Sequence, residues 1–276
     1  MNAPAEPAAQ GTGAWLYERC GYITASRFRD VLDFTQKGKP GAKRTAYLWE
    51  VVIERLTGQP ADHYSNAAME WGTEQEPHSR MAVEAATGYM IEETGFVKHP
   101  SLPMIGGSPD GLIDEDGGFE SKSPFNSAVH LTTVLQGMPE EHMAQVQGCM
   151  WLTGRKWWLF ASYDPRMPAP LQLYCQVIDR DAEYIEKLEA AVRVFSDEVA
   201  ELVDRLAKRG KATGTRSRSP CRSACPSAPS RPANAPAPVA AIATKASSPS
   251  KSASKYSSPS ARRKRSSASA LARWTR

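Results

Sequence analysis

The chain has 276 residues, 41% of them apolar, which is enough for one packed domain with sequence to spare. No run approaches the roughly 18 consecutive apolar residues of a membrane helix, and the opening MNAPAEPAAQGTGA lacks the regions of a secretion signal, so a cytoplasmic location is expected. The formal charge of +4 is unevenly spread: residues 210–276 carry 14 Lys/Arg and no Asp/Glu, leaving 20 basic and 30 acidic side chains in 1–209. So acidic a body can meet an anionic partner only through local basic patches or bound cations.

Residues 1–13 are Ala/Pro/Gly/Gln-rich without periodicity and are expected to be disordered, with folding signals starting at Trp15. Ser26 can cap a short helix over 26–32, and 42–56 places Ala46, Trp49, Val52, Ile53 and Leu56 on one helical face. A third helix is expected over 67–87. The period then changes. Short strands are expected at 95–99, 104–106, 111–114 and 119–123, with Glu115-Asp116-Gly117-Gly118 as a turn, in an antiparallel meander or hairpin.

Helices over 127–135 and 140–153 come next, then apolar strands over 156–163 and 171–178. An amphipathic helix over 181–208 carries Tyr184, Ile185, Leu188, Val192, Phe195, Val199, Leu202 and Leu206 at helical spacing. This order fits one α/β domain over 14–209, a mixed central sheet flanked by helices. From 210 the Ser/Pro/Ala/Arg-rich tail cannot bury enough surface to fold alone. A solvated basic tail, a nucleic-acid tether centred on Arg262-Arg263-Lys264-Arg265, and a frame-shifted or read-through extension all remain open for it. The cysteines Cys20, Cys149, Cys175, Cys221 and Cys225 lack paired zinc spacing and read as reduced thiols.

Phosphodiester hydrolysis at neutral pH needs a nucleophilic water and neutralised phosphate charge, which one or two hard cations held by carboxylates supply. Asp110 follows a strand–Pro step, and Glu120 lies ten residues on, across a Gly-rich turn that can fold the two strands together. Strand alternation puts Glu120 and Lys122 on one face and leaves the Ser121 carbonyl as a further candidate ligand. An ammonium there can orient or deprotonate water, or stabilise the phosphate. Alone, the pattern is weak, because carboxylates and lysines flank many exposed hairpins.

Its surroundings make it more specific. Pro109-Asp110 and Glu120-x-Lys122 resemble the signature of the PD-(D/E)xK nuclease superfamily, and the chain more closely resembles the lambda exonuclease / YqaJ-type viral recombinase family. The matching stretches, in family order, are Trp15-Leu16-Tyr17-Glu18-Arg19 with Ile23-Thr24-Ala25-Ser26, Trp71-Gly72-Thr73-Glu74-Gln75-Glu76, Ser108-Pro109-Asp110-Gly111, Glu120-Ser121-Lys122-Ser123-Pro124-Phe125, Met143-Ala144-Gln145-Val146-Gln147 with Met150-Trp151, and Tyr163-Asp164-Pro165-Arg166-Met167.

The resemblance implies a restriction-endonuclease-like core. Asp110, Glu120 and the Ser121 carbonyl would bind Mg2+, Glu76 would help hold a second ion, Lys122 would position or activate water, and Gln145 would orient the water or a ligand of the metal. Mn2+ would be an acceptable substitute. Arg19, Thr24, Ser26 and Ser108 match a 5′-phosphate pocket, a guanidinium fork with hydroxyl donors, and Met69 falls where the family carries a wedge that parts the terminal base pairs. The implied activity is 5′-to-3′ resection of linear double-stranded DNA, leaving a 3′ single strand for recombination. A ring-shaped homotrimer, a single-strand-annealing recombination protein as partner and a phage or prophage origin are implied with it.

Each residue also has a plainer reading. Glu76 can be a solvated carboxylate beside Glu70, Glu74 and Glu84; Gln145 can hydrogen-bond backbone; Ser26 can be an N-cap; Arg19 can form a surface ion pair; Met69 can pack in the core. Trp151, Trp157 and Trp158 read as core or subunit contacts rather than base-stacking platforms. The alternative functions are a structure-specific or restriction-type endonuclease with the same metal core, and a non-catalytic module that binds DNA ends.

Overall fold

In the computed structural model, residue 8 and residues 10–61 and 66–214 are described. The expected tail past 214, with Cys221, Cys225 and the 262–265 basic cluster, lies outside them, as does most of the expected N-terminal segment. Gln10 of that segment is placed: its side-chain Nε2 donates to the Pro109 carbonyl at 3.0 Å.

Thr12 caps the first helix, α1 (Gly13–Arg19), its hydroxyl accepting from the Trp15 N–H at 3.2 Å. A two-residue strand, β1 (Ile23–Thr24), leads through a 3-10 turn into α2 (Phe28–Val31). Ser26 is therefore not an N-cap. The 3-10 turn is capped at Thr24 without a side-chain bond, and the Ser26 hydroxyl lies 3.4 Å from that of Thr24.

Helix α3 (Ala42–Thr57) ends at Gly58, which adopts φ 66. Its buried face keeps Val52 of the expected one but is otherwise rotated. Arg44, Tyr47, Val51 and Val52 face the core, whereas Trp49, Ile53 and Leu56 are exposed. The rotation follows from Arg44, whose fork makes two 2.9 Å bonds to Glu198, while Tyr47 stacks on Phe195. Helix α4 (Ala67–Thr87) matches its expected limits. Asn66 caps it by accepting from the Ala68 and Met69 N–H groups.

The expected meander divides between two sheets. β3 (Val97–Lys98) pairs antiparallel with β4 (Ile105–Gly107), which also lies parallel to β1. The larger sheet has the order β2 (Ile91–Glu92), β5 (Gly111–Ile113), β6 (Gly117–Lys122), β7 (Trp157–Tyr163), β8 (Leu173–Asp179), with only β6 and β7 parallel. Gly117 and Gly118 belong to β6 rather than to the turn. They pair with Trp157 and Trp158, and a Cβ on Gly118 would lie 2.1 Å from the Trp158 ring. The chain turns just before them, where Asp114 takes φ 47.

Between β6 and β7 run α5 (Ser127–Gln136), a 3-10 turn at Glu140–His142, and α6 (Met143–Thr153). Another 3-10 turn, Ala169–Leu171, delays β8, and the final helix α7 (Ala182–Gly214) runs past the expected end at 208. Alternation along the sheet sorts its side chains into two cores. Phe160 and Trp158 join Phe28, Met150, Leu188, Val192 and others under α2, α3, α6 and α7. Phe119, Leu159 and Ala161 pack on the opposite face with Val83 of α4. Trp151 and Trp158 are buried, as expected of core residues. Among the described residues no helix is long and apolar enough to cross a membrane, and Cys20, Cys149 and Cys175 are free thiols.

Candidate active site

The β5–β6 hairpin brings Asp110 beside β6, where its carboxylate accepts the Ser121 backbone N–H at 2.8 Å. The Ser121 side chain points to the α4 face and donates to Ser79 Oγ at 2.6 Å. Glu120 and Lys122 project the other way, toward α6, as strand alternation requires. Glu120 is fully buried. Lys122 Nζ and Gln145 Nε2 both donate to its Oε1, at 2.5 and 2.6 Å. The second oxygen, Oε2, is buried with no hydrogen-bond partner.

An unpartnered carboxylate oxygen in a protein interior is costly unless something positive completes it. The charge balance points the same way: Glu76, Asp110 and Glu120 interact with one another, and one ammonium stands among them. Burial and then the nearby Asp110 push Glu120 up to about 8 and Glu76 up to about 7. Burial also raises Asp110, against the pull of Lys122. For Lys122, burial is outweighed by Glu120 and Asp110, and the ammonium is held protonated beyond its usual range. Both partners thus shift upward, because three carboxyls crowd around the Lys122 ammonium, with Arg80 acting on Glu76 and Asp110 as well. Hard oxygen donors with surplus negative charge and one bare oxygen fit Mg2+ or Mn2+. Among the described residues no three His, Cys, Asp or Glu side chains already enclose a common point.

Helix α4 supplies two faces. Trp71, Gln75, Ser79 and Val83 recur every fourth residue toward the sheet, while Met69, Thr73, Glu76 and Arg80 line a cleft. That cleft, of about 970 Å3, is lined also by Arg19, Trp15 and Asp110. Glu70 and Glu74 line the same cleft but are exposed, whereas Glu76 is part-buried and close enough to Asp110 to be raised by it. Met69 is 51% exposed at the cleft rather than packed in the core.

The four predicted phosphate ligands lie in one connected group. Arg19 Nη2 donates to Thr24 Oγ1 at 3.2 Å, and Thr24 meets Ser26. The Arg19 guanidinium sits 4.3 Å over the Trp15 ring, whose Nε1 donates to Ser108 Oγ at 2.9 Å. Among the described residues Arg19 forms no ion pair.

Three neighbours escaped the sequence reading. Ser79 anchors Ser121, Arg80 pairs with Glu93 at the cleft, and His142 stacks on Phe160. Burial and the adjacent Lys122 push His142 down to about 4, so it is neutral near pH 7. Arg80 is one turn beyond Glu76, a spacing visible in sequence; the other two required the fold. The Tyr163–Met167 motif also gains a role. Arg166 binds buried Asp164 through two nitrogens at 2.8 and 2.9 Å, donates to the Pro124 carbonyl at 3.2 Å, and lies 4.4 Å over the Trp71 ring.

A mixed sheet carrying Asp110, Glu120 and Lys122 between helices α4 and α6 defines a nuclease of the PD-(D/E)xK-like fold. The chain matches the YqaJ-like viral recombinase domain over residues 14–156. It is 37% identical to the alkaline exonuclease LHK-Exo of Laribacter hongkongensis, covering 73% of this chain and 100% of that one, with a TM-score of 0.68. A second structure of LHK-Exo, in complex with dAMP, matches at 38% identity with the same coverage and TM-score. A phage-related exonuclease from Haemophilus somnus 129PT shares the fold at 15% identity and a TM-score of 0.53, over 67% of this chain and 96% of that one. The Escherichia coli K12 protein ExoD is 36% identical over 66 residues, 24% of this chain and 75% of that protein. The chain belongs to the YqaJ-like viral recombinase family, and its role is that of a DNA exonuclease.

Proposed function

We propose that the protein is a Mg2+-dependent exonuclease that resects linear double-stranded DNA from 5′ ends and leaves a 3′ single strand. The observation that carries this reading is the single cleft joining Arg19, Met69, Glu76 and Asp110. End recognition, strand separation and hydrolysis can all occur on one DNA terminus there.

Glu76, Asp110, Glu120 and the Ser121 carbonyl would hold the cations, two ions being the expected number. Such cations would neutralise charge on the scissile phosphate and favour attack by water at neutral pH. Gln145 and Lys122 fix Glu120 through Oε1 and keep Oε2 free. Lys122 would donate to a phosphate oxygen or a water, or activate that water. Arg19, Thr24, Ser26 and Ser108 offer a guanidinium and three hydroxyls to a terminal phosphate, and exposed Met69 supplies the apolar wedge.

The dAMP complex of LHK-Exo supports release of mononucleotides. Kinship supports a phage or prophage origin, a homotrimer and a single-strand-annealing partner. The test is digestion of end-labelled linear duplex with Mg2+, with 5′-phosphate or 5′-hydroxyl ends, beside a covalently closed circle. A phosphorylated 5′ strand should be lost fastest, Arg19→Ala should erase the difference between ends, and the circle should persist. Cutting of the circle would favour an endonuclease; loss of the 3′ strand first would reverse the polarity.

A further inference from the structure

The cleft is poorly furnished for an anionic substrate. Among the described residues five carboxylates line it against two cations, Arg19 and Arg80. Arg19 belongs to the proposed end pocket, so among those residues Arg80 is the cation that the rest of the cleft offers to the DNA backbone. It stands four residues after Glu76 on the same face of α4 and close enough to act electrostatically on both Glu76 and Asp110. Its side chain is 18% exposed and is paired with Glu93, whose own side chain is 70% exposed.

That asymmetry matters. A carboxylate so accessible to water gains little from an ion pair and gives it up readily. A phosphodiester offers the same guanidinium fork two oxygens, in a cleft where DNA would displace water. We propose that Arg80 grips a backbone phosphate of the DNA beside the reaction centre, and that Glu93 holds the guanidinium in place until DNA displaces it. The inference rests on the reading that DNA enters this cleft, and it adds a substrate contact outside the metal ligands and the end pocket.

The two partners of the ion pair then have opposite effects. Fluorescence anisotropy of the full-length protein with 5′-phosphorylated linear duplex, in Ca2+ over a range of salt, measures binding alone. Arg80→Gln should weaken binding about tenfold or more and flatten the slope of log K against log salt by about 1. Glu93→Gln should tighten binding, because it frees the guanidinium. Because Arg80 also acts on Glu76 and Asp110, binding is compared at saturating Ca2+, where a loss through the metal disappears and a lost phosphate contact persists.

An unchanged slope in Arg80→Gln, or weaker binding in Glu93→Gln, would make the pair a purely structural tie and overturn the proposal. Should Arg80→Gln fail to fold, Arg80→Lys, with the charge kept and the fork lost, and Glu93→Gln carry the test. A protein that binds as expected but does not resect 5′ ends would defeat the proposed polarity while leaving Arg80 in its role.

Discussion

Gln145 and Lys122 donate to the same oxygen of Glu120, so the only buried carboxylate oxygen left bare at this centre among the described residues is Glu120 Oε2. Gln145 thus holds Glu120, a proposed ligand of the metal, which is one of the two roles that kinship suggests. Gln145→Leu removes one of two holding bonds and should raise the half-saturating Mg2+ concentration by about 10–100-fold. Gln145→Glu adds a fourth carboxyl and should be worse. Equal Mg2+ requirement in Gln145→Leu and wild type would reduce Gln145 to packing.

Activity should depend jointly on pH and Mg2+. Glu120 and Glu76, pushed up to about 8 and 7, hold a cation only after losing their protons. At subsaturating Mg2+ the rate should therefore climb through pH 7–8, and added Mg2+ should move the rise to lower pH by competing with protons. Stability runs the opposite way without metal: the folded carboxyls keep protons that unfolded ones release, so the thermal midpoint should fall from about pH 5 to 8. Mg2+ should restore it most at the alkaline end. A pH profile insensitive to Mg2+ would detach these carboxyls from metal binding.

Gly118→Ala tests why a glycine pair opens β6. Its Cβ would meet the fully buried Trp158 ring, two residues before Glu120. Stability should drop by about 1–3 kcal/mol in denaturant unfolding, from overpacking. The same substitution at Gly154, where φ is 73 but nothing lies within 4 Å, is strained by its backbone alone and should cost less.

Arg44 is 3% exposed and bidentate to half-exposed Glu198, tying α3 to α7. Glu198→Gln strands a buried charge and should lose on the order of 2 kcal/mol, below the usual cost for a fully buried pair because Glu198 reaches solvent. Arg44→Met combined with Glu198→Met should lose less than Glu198→Gln alone. A double variant no better than the single would show that the pair itself stabilises the fold.

Arg166→Met removes the link between Asp164, Pro124 and the Trp71 ring. Burial raises the Asp164 carboxyl, and hydrogen bonds from Arg166 and Ser127 outweigh it, bringing it to about 2. The stability this pair provides is present above the unfolded value near 4 and is lost as pH falls toward 2. Acid unfolding should therefore start at higher pH in Arg166→Met, and Trp71→Phe should not shift it.

How much of this was legible in the chain depends on the range of each interaction. Long periodic helices such as α4 and α7 and the apolar strand β7 follow from local pattern, because 3.6- and 2-residue repeats record which side is buried. The carboxylates of the hairpin and the lysine two residues on were visible for the same reason. Two-residue strands such as β1 and β2 have no period to read. The buried face of α3 departs from its apolar pattern because Arg44, a residue type that belongs at the surface, is stabilised inside by Glu198, 154 positions away.

Sequence alone thus determined the chemistry available: hard oxygen donors, one ammonium, a guanidinium with hydroxyls, and their order along a YqaJ-like chain. Only the tertiary structure decided which oxygen of Glu120 is bare, that Trp15 joins Arg19 to Ser108, and that Arg80 faces the cleft with Glu93. Those facts are set by distances between residues far apart in the chain, and a hydrogen bond or an ion pair depends on that distance together with its alignment and its burial.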